Sequence, residues 1–184
     1  IGVHPHNSIR YSDSVEKEML SYLAREKCRL FGEIGLDYHW ETNPPREMQK
    51  QYLDGQLSMA AAYKKPVILH VRDAHGDCMD ILRAHRQGLE GVMHCFSGSY
   101  ETARECLDLG LYIGVGGVLT FKNARKLKEV VQKVPLNRLV LETDCPYMAP
   151  EPFRGRRNDP GYLYRMAERL AELRGVTPEA MQEI

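Results

Sequence analysis

Leu139-Val140-Leu141-Glu142-Thr143-Asp144-Cys145-Pro146-Tyr147 is a short apolar strand pattern that ends abruptly in two carboxylates and a proline turn. The same design recurs upstream. Ile1-Gly2-Val3 runs into His4-Pro5-His6, Leu30-Phe31-Gly32 into Glu33 and Asp37, Val67-Ile68-Leu69 into His70, and Val92-Met93 into His94. Each apolar run ends on a residue type that ligates metals. Parallel strands with polar residues at their C-terminal ends are what a barrel of strand-helix units requires, because the loops there converge on one mouth. The pattern predicts an α/β chain carrying a hydrolytic metal centre.

The segments between these runs read as crossover helices. Ser12-Asp13-Ser14 offers caps before Val15, Met19, Leu20 and Leu23 at helical spacing. Pro44-Pro45 presets a helix with Met48, Tyr52, Leu53, Leu57, Ala60 and Ala61 on one face, stopped by Lys64-Lys65-Pro66. Cys78, Ile81 and Leu82 mark a third helix, residues 100–109 a fourth ending at Gly110, Leu127, Val130, Val131 and Val134 a fifth closed by Pro135, and residues 162–173 a last one. Strands are expected at 1–3, 30–36, 66–71, Gly91-Val92-Met93, 111–115 and 139–142, six in all. Six strands alternating with helices imply a parallel sheet with right-handed crossovers. Gly32 and Gly35 around Glu33 predict close backbone approach. Gly114, Gly116 and Gly117 do not form a dinucleotide fingerprint and are assigned to tight packing.

The 184 residues suit one domain, 1–184. Lys plus Arg and Asp plus Glu both number 25, so no global basic field draws in nucleic acid and any phosphate recognition must be local. Five cysteines without a C-x-x-C pair argue against a disulfide framework and point to a reducing cytosol. No apolar run is long enough to cross a bilayer, so no membrane partner is expected.

A lone histidine after an apolar run is more often a hydrogen-bonded structural residue than a ligand. Four strand ends carrying Glu33, His70, His94 and Asp144 make a joint pattern, a mixed N/O set suited to Zn, Mn or Mg, one or two ions per chain. Glu33 is the natural bridge between two ions, since a carboxylate has two oxygens; otherwise it is a capped loop carboxylate. Asp144 serves as ligand and as proton acceptor for the attacking water, with Glu142 orienting it or forming a salt bridge. His4 is favoured over His6 to line the mouth and touch phosphate. Arg72, Arg154, Arg156 and Arg157 are the cations nearest that mouth in sequence, suited to bidentate phosphate binding or to a solvated loop. Cys95 and Cys145 read as packing residues.

Gly2-Val3-His4-Pro5-His6, Gly32-Glu33-Ile34-Gly35-Leu36-Asp37, His70-Val71-Arg72-Asp73-Ala74, His94-Cys95-Phe96-Ser97-Gly98 and Glu142-Thr143-Asp144-Cys145-Pro146-Tyr147, in this order, closely resemble the motifs of the TatD family of metal-dependent deoxyribonucleases. Arg154-Gly155-Arg156-Arg157-Asn158-Asp159-Pro160 resembles that family's R-G-K-R-N-x-P segment, so the resemblance covers essentially the whole chain.

The resemblance implies a TIM-type (β/α) barrel of the metal-dependent hydrolase superfamily, with Glu33, His70, His94 and Asp144 as metal ligands, Glu33 and Asp144 catalytic, and His4, Arg72 and Arg154 on a DNA substrate. Members usually begin with two further strand-helix units bearing an H-x-H pair and continue past Glu183-Ile184. The barrel is therefore expected to be partial, lacking the first two units and the C-terminal end. Two other functions fit the residues: an amidohydrolase-like activity on a small ester or amide, because the same ligand set hydrolyses carbonyl centres, or a catalytically weak barrel fragment that acts as a binding module. The sequence does not define the oligomeric state.

Overall fold

Apolar runs of three to seven residues become strands where a neighbouring run offers a parallel partner, and amphipathic segments between them become the crossovers. The computed structural model describes residues 1–182 and divides into two compact units, Ile1–His94 with Asp108–Leu111, and Cys95–Leu107 with Tyr112–Ile184.

The first unit opens with a 3-10 helix, Pro5–Arg10, followed by α1 (Asp13–Leu23), β1 (Phe31–Asp37), α2 (Arg46–Ala62), β2 (Val67–Arg72), α3 (His75–Ala84) and β3 (Gly91–Met93). Ser12 caps α1 through its hydroxyl, as its sequence position predicts. β2 lies between β1 and β3, parallel to both, in a register that sets Gly35 opposite His70, Asp37 opposite Arg72 and Leu69 opposite Met93. Phe31, Ile34, Leu36, Leu69 and Met93 from the strands and Leu53 and Leu57 from α2 are fully buried.

The second unit holds most of α4 (Tyr100–Asp108) and of β4 (Leu111–Val115), then α5 (Arg125–Lys133), β5 (Leu139–Leu141), α6 (Leu163–Arg174) and α7 (Pro178–Gln182). β4 and β5 pair in parallel, Val115 opposite Leu141. Ile113, Val115, Leu119, Val130, Val131 and Met166 form its core. A Cβ on Gly117 would stand 2.0 Å from the Met148 carbonyl oxygen, so this glycine admits a close backbone approach, the tight packing its sequence predicts.

Five strands, not six, are present among the described residues. Ile1-Gly2-Val3 is extended, and Ile1 bonds to β1's edge through Gly32 N–H (2.9 Å). The ladder goes no further because the Gln56 side-chain amide takes both Val3 backbone groups, its Oε1 accepting from Val3 N–H at 2.7 Å and its Nε2 donating to Val3 C=O at 3.1 Å. α7 was not foreseen, although Thr177-Pro178-Glu179 carries the signal of a cap followed by proline at the first helical position. Glu183 and Ile184, past which the family resemblance implies a further segment, lie outside the described residues. No helix among the described residues is long and apolar enough to cross a membrane.

Candidate metal centre

β1 and β2 build the core of the site through an exchange of bulk. Opposite His70 the chain places Gly35, at φ +149°, where a Cβ would come within 1.9 Å of the His70 carbonyl oxygen. Only glycine fits that approach. The register is interrupted between Gly32 and Ile34, an irregularity centred on Glu33, and such bulges re-aim a side chain. His70 thereby lies between two carboxylates, with Nε2 3.0 Å from Asp37 Oδ2 and Nδ1 3.8 Å from Glu33 Oε2.

Asp37 has no solvent exposure. Burial alone would push its carboxyl up, but hydrogen bonds from the His39 backbone N–H, His70 and His6 outweigh it and hold the pKa at about 2. The donors stand at 2.9 Å for His39 N–H, 3.0 Å for His70 Nε2, 2.8 Å for His6 Nε2 and 3.0 Å for Asn43 Nδ2. An ionised carboxylate only accepts, so the Nε2 of His70 must carry hydrogen, and a neutral His70 then presents a bare lone pair on Nδ1, the nitrogen that faces Glu33. A carboxylate behind a histidine in this way is the usual support of an imidazole ligand.

His4 has the opposite polarity. Its Nδ1 accepts the His6 backbone N–H at 3.2 Å, so the neutral ring carries hydrogen on Nε2, the atom 3.8 Å from Glu33 Oε2. Burial, with the neighbouring His70 and His6 adding to it, lowers its pKa to about 4. A single oxygen of Glu33, Oε2, thus stands 3.8 Å from a nitrogen lone pair and 3.8 Å from an N–H donor.

One ligand atom each from His4, Glu33 and His70 lies within 4.8 Å of the others, and the nitrogen and oxygen donors suit a divalent transition ion. The residues therefore fit a metal, with Glu33 and His70 as its natural holders and His4 as a hydrogen-bond donor beside it.

Of the other residues singled out in the sequence, His94 follows β3 in the first unit, its backbone N–H bonded to Leu69 C=O at 2.9 Å. Arg72 ends β2, with its guanidinium 5.6 Å from the Trp40 ring centroid. Asp144 and Arg154 belong to the second unit. Arg154 lies over the Phe121 ring at 4.3 Å. Glu142 Oε1 accepts the Cys95 N–H at 2.5 Å, and Cys95 Sγ is 4.0 Å from Asp144 Oδ2. Cys145 is exposed rather than packed, because the turn closed by Tyr147 N–H on Asp144 C=O (2.9 Å) projects it outward. Asp73, Cys95 and Asp144 all adopt left-handed φ, +53°, +46° and +52°, one, two and three residues beyond the ends of β2, β3 and β5. Such outliers gather where the surrounding structure fixes functional side chains.

Sequence reasoning missed three residues that hold these groups. Asp37 was noted as a strand end but not as the partner of both His6 and His70, which only the register shows. Asn43 ties the loop after β1 to Asp37 through its C=O (3.1 Å) and its carboxylate. Asn158, buried, donates from Nδ2 to Thr143 C=O (2.5 Å) and Tyr147 C=O (2.6 Å), and so clamps the turn that carries Asp144. Its signal was its place within Arg154-Gly155-Arg156-Arg157-Asn158.

The chain matches the family model described as TatD related DNase over residues 1–184. It is 43% identical over 185 residues to an uncharacterized metal-dependent hydrolase, YabD, of Bacillus subtilis, a match covering 100% of this chain and 72% of that protein. It is 37% identical over 180 residues to the 3'-5' ssDNA/RNA exonuclease TatD of Klebsiella pneumoniae, over 95% of this chain and 68% of the relative. Among solved structures, YJJV, a TatD homologue from Escherichia coli, superposes with a TM-score of 0.92 at 36% identity, over 100% of this chain and 71% of that one.

Proposed function

Because the chain belongs to the family of TatD related DNases, a family of metal-dependent hydrolases with a TIM-type barrel fold, we propose that it hydrolyses phosphodiester bonds of DNA. The observation that carries the reading is the polarity around Glu33. His70 offers a lone pair, Glu33 offers charge, and His4 offers an N–H, which is the arrangement for holding a cation and a phosphate oxygen side by side. The resemblance of a 37% identical relative named as a 3'-5' ssDNA/RNA exonuclease supports the choice of nucleic acid.

In this reading Glu33 and His70 would hold a divalent ion, Mg, Mn or Zn, and His94 and Asp144 are assigned as further ligands from the family motifs. When bound, the ion supplies Lewis-acid polarisation of the phosphate and a lowered pKa for the attacking water. Asp37 fixes the His70 ring. Neutral His4 donates Nε2–H to a non-bridging phosphate oxygen, an interaction that strengthens as charge builds there. Asp144 accepts the proton of the attacking water, and Arg72 and Arg154 bind flanking phosphates as fixed cations. We assign the protein to a reducing cytosol, supported by five cysteines that form no disulfide.

The test is hydrolysis of a labelled single-stranded oligonucleotide by the purified protein in Mg, Mn and Zn. Cleavage that EDTA abolishes and added metal restores is expected. Asp144→Asn should lower kcat by about a hundredfold or more while oligonucleotide binding persists. No cleavage in any of the three metals overturns the reading, and turnover of carboxylic esters or amides instead would move the assignment to carbonyl substrates. Wild-type kcat in the Asp144 variant removes it as proton acceptor.

A further inference from the structure

Trp40 is the only tryptophan in the chain, and the fold leaves it 55% exposed. It stands three residues beyond β1, on the same end of the strands as Asp37 and Arg72, which are register partners. By chain length its Cα is at most about 11 Å from that of Asp37. An isolated exposed apolar side chain needs no explanation. What sets Trp40 apart is how firmly its surroundings hold it.

Trp40 C=O accepts the Asn43 N–H at 3.0 Å, closing a tight turn. The Asn43 side chain in turn bonds to Asp37 C=O and Oδ1. His39 meets the indole edge-on, with centroids 4.6 Å apart at 84°. His39 itself is pinned by its N–H to Asp37 Oδ1 (2.9 Å) and by Nδ1 to Asp73 Oδ2 (2.8 Å). The carboxylate that orients His70 therefore also anchors the turn presenting the indole. Arg72 lies over the ring, its guanidinium 5.6 Å from the centroid, within cation–π range. An exposed aromatic plane beside a guanidinium, both tied to the metal centre, is the combination by which single-stranded nucleic acid is held. Bases stack on the ring, and the cation takes the backbone phosphate.

We propose that Trp40 is the stacking platform for a nucleobase of a single-stranded substrate, with Arg72 taking the adjacent phosphate. The proposal rests on the nucleic-acid reading of the site. It assigns base-dependent, sequence-tolerant affinity to the first unit, because every base presents a π face and the indole makes no edge-specific hydrogen bond.

Because Trp40 is unique, its fluorescence reports the contact directly. The protein is titrated in EDTA, where no turnover occurs, with a single-stranded oligonucleotide and with an abasic strand of equal length and charge. Saturable quenching by the base-containing strand, and weak or no quenching by the abasic one, is expected. In the metal-loaded enzyme, Trp40→Ala should raise KM for the oligonucleotide about five- to 150-fold, with the effect on KM rather than kcat, and Trp40→Phe should recover much of it. Arg72→Ala should instead weaken both strands alike and reduce the slope of log affinity against log salt by about 0.7. Trp40→Ala binding that still favours the base-containing strand to the wild-type degree, or saturating binding without a change in Trp40 emission, overturns the proposal. Cleavage without base-dependent quenching removes the platform and leaves the hydrolytic reading standing. Base-dependent quenching without cleavage does the reverse, and absence of any oligonucleotide binding removes both.

Discussion

At the scale of single residues, Asp37 decides what the neighbouring histidines can do. Its side chain is fully buried and ionised, a state that is stable only because four donors converge on it. Asp37→Asn keeps shape but leaves one accepting oxygen where Oδ2 now serves His6 and His70 and Oδ1 serves His39 N–H and Asn43, so one pair of donors meets an NH2 group; with the carboxylate charge gone as well, His70 loses its fixed tautomer. Metal affinity measured by calorimetry should fall about 10- to 100-fold, and nitrogen NMR of the metal-free protein should show His70 shift from the Nε2–H form to a mixture. Unchanged affinity with an unchanged His70 spectrum would remove Asp37 from that role. His4 yields a pH prediction. Its pKa is about 4 in the folded chain against 6.5 for the free side chain, so between these values the unfolded chain binds more protons. Stability is full above about 6.5 and declines as pH falls toward 4, by no more than about 3 kcal/mol. Asp37, at about 2 against 3.8, adds a further loss only below 3.8. Thermal melts in EDTA from pH 7 to 4.5 should show the first decline, and His4→Gln should flatten it. A variant that retains the full slope assigns the effect to other groups.

At the scale of elements, the strand ends were legible and their supports were not. The apolar runs at β1, β2, β4 and β5 are dense enough in sequence to mark strands within a residue or so, and the residue after each run announced the site. The first run failed as a strand because Gln56, 53 positions away, takes Val3's two backbone groups, a long-range competition with no local signal. The sequence favours His4 over His6 at the mouth and assigns His6 no task. The structure gives both a task, because the Pro5 turn aims His6 at Asp37 and His4 at Glu33. Gly35 shows how the pairing of β1 and β2 limits the site. Gly35→Ala places a methyl within 1.9 Å of the His70 carbonyl oxygen at φ +149°, which should cost about 3 kcal/mol or more. That corresponds to a Tm lower by about 6–12 °C, and metal affinity should fall with it because His70 must move. A melting temperature within about 2 °C of wild type would mean that the strands part without penalty.

At the scale of the molecule, the three groups around Glu33 come from residues 4, 33 and 70, widely separated in sequence, and are neighbours only after the first unit has folded. An ion held there binds the folded chain and not the unfolded one, so its binding free energy is added to stability. At a metal concentration one hundred times Kd the gain is about 2.7 kcal/mol, and for a chain of this length that raises Tm by about 5–10 °C. Zn and Mn should both produce the shift, EDTA should reverse it, and its size should grow with the logarithm of metal concentration. Glu33→Gln keeps the size of the side chain and removes the charge that holds the ion, so the variant should melt near the metal-free wild type and respond little to added metal. The experiment separates ligation from structure. If Glu33 serves only to hold the loop after the register break, its glutamine variant will start at a lower Tm yet still climb with metal as the wild type does, and the ligand assignment of Glu33 then fails.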